Sequence, residues 1–175
     1  MIQDDTITAR DQFPLLEVFQ RGDHGASHLV LSALRTAALL DRVVARALAP
    51  FGLHHAQFNA LMLLRRQGVA GLRPSSLGDS LCVSRPNVTK LLSRLKSRGL
   101  IEERPDPADG RAVLAFSTPD GSALAERAFA RLSKDLAEAV ATLVADDRES
   151  LRVLLDKFRD GLASTLTDRS GPSDS

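Results

Sequence analysis

A chain of 175 residues has room for one compact domain or two small lobes sharing a core. Its formal charge of +1 excludes any argument about partners from net charge, and its one cysteine, Cys82, excludes an intrachain disulfide. Seven phenylalanines are the only aromatic residues, so Leu and Ala must fill most of the core, which favours helix over sheet.

Residues 1–8, with Asp4, Asp5 and no long apolar run, read as a flexible lead-in and not as a signal peptide. Phe13, Leu16 and Phe19 fall on one side of a short helix over residues 11–20, and residues 21–25, with two glycines and an aspartate, break it. Ser27 is placed to cap a long helix that reaches about residue 49, where Pro50 and Gly52 stop it. Along it Leu29, Ala33, Thr36, Leu40, Val43 and Ala47 recur at helical spacing, and so do Val30, Leu34, Ala37 and Val44. That is a wide apolar surface for one rod of about 33 Å.

A second helix, residues 55–66, buries Phe58, Leu61, Met62 and Leu64, with His54 and Gln57 at the spacing of a capping box. After a turn at 68–71, Pro74 opens a short third helix, 74–81. Cys82 and Val83 make a tight turn. Ser84 caps a fourth helix that runs to Arg98 and closes at Gly99. Two strands follow, 100–104 and 112–117, separated by the turn formers Pro105, Asp106, Pro107, Asp109 and Gly110.

Thr118-Pro119 starts an Ala-rich fifth helix extending to about residue 144. Asp146 and Glu149 resemble another capping box, opening a last helix with Leu151, Leu154, Leu155, Phe158 and Leu162 in one stripe. Residues 167–175 form a polar tail, expected to be disordered. No stretch reaches the roughly 18 apolar residues of a membrane span, so a cytoplasmic protein is the default. The expected fold is mainly α with a small β wing. Its divisions are an N-terminal extension (1–24), a region of long flanking helices (25–50 and 119–166), a central helix-turn-helix unit with the hairpin wing (51–118) and the tail.

The charge pattern singles out residues 84–111, where seven bases and four acids leave +3 on a nearly neutral chain. Residues 84–98 alone hold five bases and no acid. In that helix Val88, Leu91, Leu92 and Leu95 form one packing stripe. Ser84, Arg85, Pro86, Asn87, Thr89, Lys90, Ser93 and Arg94 lie off it. Short hydrogen-bonding side chains near the helix start allow close approach to base edges, and the longer bases reach phosphates or guanine. A basic helix after a short helix and a three-residue turn, and before a hairpin, is the arrangement of a major-groove reader. The hairpin tip, Asp106 to Arg111, offers Arg111 to a minor groove, while Asp106 or Asp109 locks the loop by bonding its backbone or Arg111.

The stretches "GLHHAQFNALMLLRRQG" and "VSRPNVTKLLSRLKSRGLIEERPDPADGRAVLAFSTPDG" make residues 53–121 resemble the winged helix-turn-helix core of the MarR family of bacterial regulators. The flanking helices match in placement and length. The resemblance implies an obligate homodimer built from the first and last helices. It also implies recognition helices in successive major grooves roughly 34 Å apart on a pseudo-palindromic duplex. Repression released by a small aromatic or organic acid, or by oxidation, is implied as well. An effector pocket between the first, second and fifth helices follows by the same resemblance, with His28, Asn59 and Met62 as its candidate lining.

Three positions depart from the family pattern: His54 replaces the usual Ser or Thr cap, Cys82 a common turn glycine, and Gly110 a second wing arginine. "GLRP" at 71–74 and the N-terminal extension resemble the urate-responsive branch. That branch's ligand quartet is not reproduced, since the chain lacks tryptophan and has Asn59 and Leu91 where an aspartate and an arginine are expected.

Other signals point elsewhere only faintly. Cys82 reads as a small packed residue more than a redox switch. His24, His28, His54 and His55 have no metal-ligand spacing, so no metal and no cofactor is expected. No nucleophile with a base partner, Gly-rich phosphate loop or carboxylate pair marks an enzyme. The alternative to DNA binding is a winged-helix protein-interaction module, against which the basic face of residues 84–98 argues.

Overall fold

The computed structural model describes residues 24–167. The short helix expected at 11–20 and all but the first residue of the expected tail lie outside them. The described chain folds in the order α1 (His24–Leu48), a 3-10 turn (Ala49–Phe51), α2 (His55–Gln67), a second 3-10 turn (Gly68–Ala70), α3 (Pro74–Leu81), α4 (Arg85–Ser97), β1 (Ile101–Asp106), β2 (Asp109–Ser117), α5 (Pro119–Ala139) and α6 (Ala145–Thr167).

Pro50 ends α1 through a 3-10 turn, and Gly52 in the left-handed region redirects the chain. The α2 start is closed as its sequence predicts, the His54 amide donating to Gln57 Oε1 at 3.0 Å. At the end of α4, the Gly99 amide bonds the Lys96 carbonyl and the Leu100 amide bonds that of Leu95. With Gly99 at φ +68°, this pair of bonds is a Schellman closure. Thr118 caps α5, accepting from the Gly121 amide at 3.0 Å while its hydroxyl donates to the Gly99 carbonyl at 2.8 Å. Only glycine fits at 121, because a Cβ there would lie 1.9 Å from the Leu100 carbonyl oxygen.

The core is built where these elements converge. Val44, Ala47 and Leu48 of α1 meet Phe58, Leu61 and Leu64 of α2. Leu77 of α3, Val88, Leu92 and Leu95 of α4, and Ala125 and Ala128 of α5 complete the cluster. Each fully buried leucine contributes roughly 2 kcal/mol. The stripe expected on residues 84–98 is the buried face of α4.

Strands β1 and β2 pair antiparallel from Ile101 opposite Ser117 to Asp106 opposite Asp109, with an irregularity at Pro105/Asp106. Both reach further than expected, because only Pro107 and Ala108 lie between them. Leu72 adds a one-residue third strand, exchanging two backbone bonds with Ala115 at 3.0 and 2.8 Å.

Three boundary expectations are corrected. Ser27 lies inside α1, which is already helical at His24, and is buried there. Helix α5 stops at Ala139, where the β-branched Val140, Thr142 and Val144 lower helix propensity. Helix α6 begins at Ala145, so Asp146 sits within its first turn, and Glu149 pairs with Arg152 instead of capping. Much of the outer part of α1 is exposed, and no described residue of α6 is buried. Leu29, Leu39 and Leu40 on the first, and Leu151, Leu154, Leu155 and Leu162 on the second, are exposed.

Candidate nucleic-acid interface

Helix α4 buries one side and offers the other. Val88, Leu91, Leu92 and Leu95 are buried, while Ser84, Arg85, Pro86, Asn87, Thr89, Lys90, Ser93 and Arg94 are all exposed. The sequence-derived candidates therefore share one outer face, with short side chains toward the start and bases behind. Ser84 occupies the N-cap position with extended backbone, but its hydroxyl makes no capping bond to the helix. Pro86 has no amide proton, which leaves the Arg85 and Asn87 amides as the first-turn donors open to an anion. The Thr89 hydroxyl bonds back to the Arg85 carbonyl at 3.1 Å, keeping that side chain close to the helix surface.

The basic residues divide into two groups that the sequence did not separate. Lys96 pairs with Glu103 at 2.6 Å. The Arg98 guanidinium donates to the Gly52 and Phe51 carbonyls at 2.6 and 3.0 Å. Arg104 pairs with Glu102 and lies over the Phe116 ring, 4.8 Å from its centroid. These three brace the fold. Among the described residues Arg85, Lys90, Arg94 and Arg111 have no side-chain partner, and all four are exposed. An exposed, uncompensated cation is what phosphate contact requires.

The wing tip is locked as its aspartates suggest. Asp106 Oδ1 accepts from the Ala108 amide at 2.9 Å, and Asp109 Oδ1 accepts from the Arg111 amide at 3.1 Å. Arg111 itself is exposed. Asp106, expected at the exposed tip, is instead 7% exposed and held by Arg73, whose Nε donates to Oδ2 at 2.9 Å and whose Nη2 is ion-paired with the same oxygen at 2.6 Å. The Ala108 amide, then the Arg73 guanidinium, holds the Asp106 carboxyl below the usual carboxylate range. No local spacing signals the Arg73–Asp106 contact, across 33 positions, or the Leu72–Ala115 bridge, across 43.

The three candidate effector residues are placed apart in character. His28 is exposed on α1, and Asn59 and Met62 are half-buried on α2. Met62 lines a shallow cleft with Leu63, Arg65 and Arg66, to which His28 and Asn59 do not contribute. A second groove, at the foot of α1, is lined by Asp41, Ala45, Gly52, Leu53, His54 and His55. Cys82 is exposed at φ +53°, in the left-handed region. No helix among the described residues is long and apolar enough to cross a membrane.

Residues 53–113 match the model of the MarR family. The multiple antibiotic resistance protein MarR of Salmonella typhimurium is 36% identical over 119 residues, covering 67% of this chain and 81% of that protein. Among solved structures, Escherichia coli MarR C80S complexed with operator DNA superposes with a TM-score of 0.63 at 30% identity, over 85% of this chain and 96% of that one. The transcriptional repressor CouR, bound to a 23-mer DNA duplex, gives a TM-score of 0.68 at 26% identity, over 75% of this chain and 92% of that one.

Proposed function

Since this chain belongs to the MarR family of transcriptional regulators, we propose that it acts as a homodimeric repressor on pseudo-palindromic double-stranded DNA. The observation that carries this is the outer face of α4, where Arg85, Lys90 and Arg94 stand unpaired beside Asn87 and Thr89. On a protein of net charge +1, leaving these cations without acids serves an anionic partner better than it serves stability. The relatives in complex with operator DNA and with a DNA duplex support the same partner.

In this mechanism α4 enters the major groove N-terminus first. Asn87 and Thr89 approach base edges, Arg85, Lys90 and Arg94 meet phosphates or guanine, and Arg111 reaches the neighbouring minor groove. The exposed leucines of α1 and α6 supply the dimer contact, and two-fold symmetry sets the recognition helices about 34 Å apart. A small aromatic or organic acid releases the DNA. For such a ligand the cleft beside Met62 offers an apolar wall and, at Arg66, a cation.

The test is a gel-shift titration on duplexes selected from genomic fragments. Arg94→Ala weakens binding sharply and Arg111→Ala weakens it less. Binding unchanged in both variants places the interface elsewhere.

A further inference from the structure

The wing stands on a narrow base. Beyond the β1–β2 pairing itself, its described backbone tie to the rest of the domain is the Leu72–Ala115 bridge. Arg111 lies four residues past that bridge, about 13 Å along the strand. A two-stranded ribbon projecting that far is only marginally stable by itself, so an arginine at its end samples many positions unless something nearer the tip holds it.

Arg73 sits where such a hold is needed. Its carbonyl accepts the first bond of α3, from the Leu77 amide at 3.0 Å, so its backbone belongs to the helix-turn-helix. Its side chain crosses to the wing, where Nε donates to one oxygen of Asp106 at 2.9 Å and Nη2 forms an ion pair with the same oxygen at 2.6 Å. The other oxygen of Asp106 takes the Ala108 amide at the tip of the turn. Both carboxylate oxygens are therefore in use, one toward the helices and one toward the tip. Asp106 is 7% exposed, so water does not readily replace either partner.

The geometry points to Arg73 as a positioning residue for the wing: through Asp106 it fixes the tip, so the contribution of Arg111 to DNA affinity depends on it. The role rests on DNA binding as proposed above, and it makes a prediction that charge alone does not. Asp106→Ala removes an anion from a DNA-facing element, which by electrostatics strengthens binding. Loss of the pin weakens it.

The experiment titrates Arg73→Ala, Asp106→Ala, Arg111→Ala and the double variant Arg73→Ala/Arg111→Ala on a duplex that the unaltered protein binds. Amide exchange at Ala108 and Arg111 is followed by NMR without DNA. Arg73→Ala and Asp106→Ala each weaken binding by roughly the factor seen for Arg111→Ala, on the order of tenfold. The double variant is no weaker than Arg111→Ala alone, and Ala108 exchange accelerates in the first two. Further loss in the double variant makes Arg73 a direct phosphate contact and overturns the proposal, as does tighter binding by Asp106→Ala. If the unaltered protein binds no duplex, DNA binding is what has failed. The exchange data then decide the pin, unchanged Ala108 protection in Arg73→Ala refuting it and faster exchange sustaining it. Arg73→Gln carries the same comparison if the alanine variant does not fold.

Discussion

The Arg98 guanidinium donates to the carbonyl of Gly52 at 2.6 Å, 46 positions back in the chain, and its second terminal nitrogen reaches the Phe51 carbonyl at 3.0 Å. One side chain thus ties the end of α4 to the turn at the foot of α1. These carbonyls belong to a turn that leaves them outside the helical ladder, so the cation satisfies groups that would otherwise depend on water. Arg98→Ala is expected to cost about 1 kcal/mol, the charge-assisted value being reduced by exposure. A fall of roughly 2–4 °C in Tm follows for a domain of this size, measured by thermal melting. A loss of DNA affinity with no change in Tm would move Arg98 from the brace to the interface.

Cys82 holds φ +53°, a conformation that costs an L-residue with a Cβ about 1–2 kcal/mol. Glycine relieves that strain but gives back part of the gain through a more flexible unfolded chain. Cys82→Gly is therefore expected to raise stability by roughly 0.5–1 kcal/mol, read as a higher urea midpoint at constant m-value. A lower midpoint would show that the thiol contributes packing the turn depends on.

The parts legible in the sequence were those written in local spacing. Val88, Leu91, Leu92 and Leu95 announced the buried side of α4, and Thr118 and Gly99 announced the ends of their helices. What escaped depended on contacts between distant residues. Lys96 and Arg98 count toward the basic charge of residues 84–98, but Glu103 lies against the first and the Gly52 and Phe51 carbonyls against the second. Asp106 looked like a loop residue until Arg73 was found on it. Asp146 has the spacing of a cap, but α6 begins one residue before it. Spacing identifies candidates for a role, and tertiary neighbours choose among them.

The Ala108 amide and the Arg73 guanidinium favour the ionised form of Asp106, against a smaller opposing effect of burial. A carboxyl depressed in the folded state contributes stability above its unfolded value near pH 4, and loses it as pH falls through the lower folded value. Wing order, followed as Ala108 amide protection, is thus expected to be constant from pH 7 to about pH 4.5 and to fall only in stronger acid. In Asp106→Asn that acid step should be missing. A decline already under way at pH 6 would assign it to some other group.

Leu151, Leu154, Leu155 and Leu162 of α6 are exposed in the single chain, as are Leu29, Leu39 and Leu40 of α1. A stable dimer hides about 800 Å² on each partner, and these leucines on the two terminal helices offer exposed apolar surface for it. Leu154→Glu combined with Leu155→Glu is expected to leave a folded monomer by sedimentation velocity, with DNA affinity reduced because only one half-site is then engaged. An unaltered dimer would place the two-fold contact on another surface.

On the proposed function, the cations of α4 that lack a described partner meet the DNA backbone. The most direct measurement is the salt dependence of duplex affinity, compared between the unaltered protein and Arg85→Ala, Lys90→Ala and Arg94→Ala. The slope of log K against log salt reports the phosphates neutralised, at about −0.9 for each. Each substitution that removes one phosphate contact per subunit is expected to flatten the slope of the dimer by roughly two. Slopes that remain parallel in all three variants, with affinity unchanged, would contradict the assignment of α4 as the DNA-contacting face.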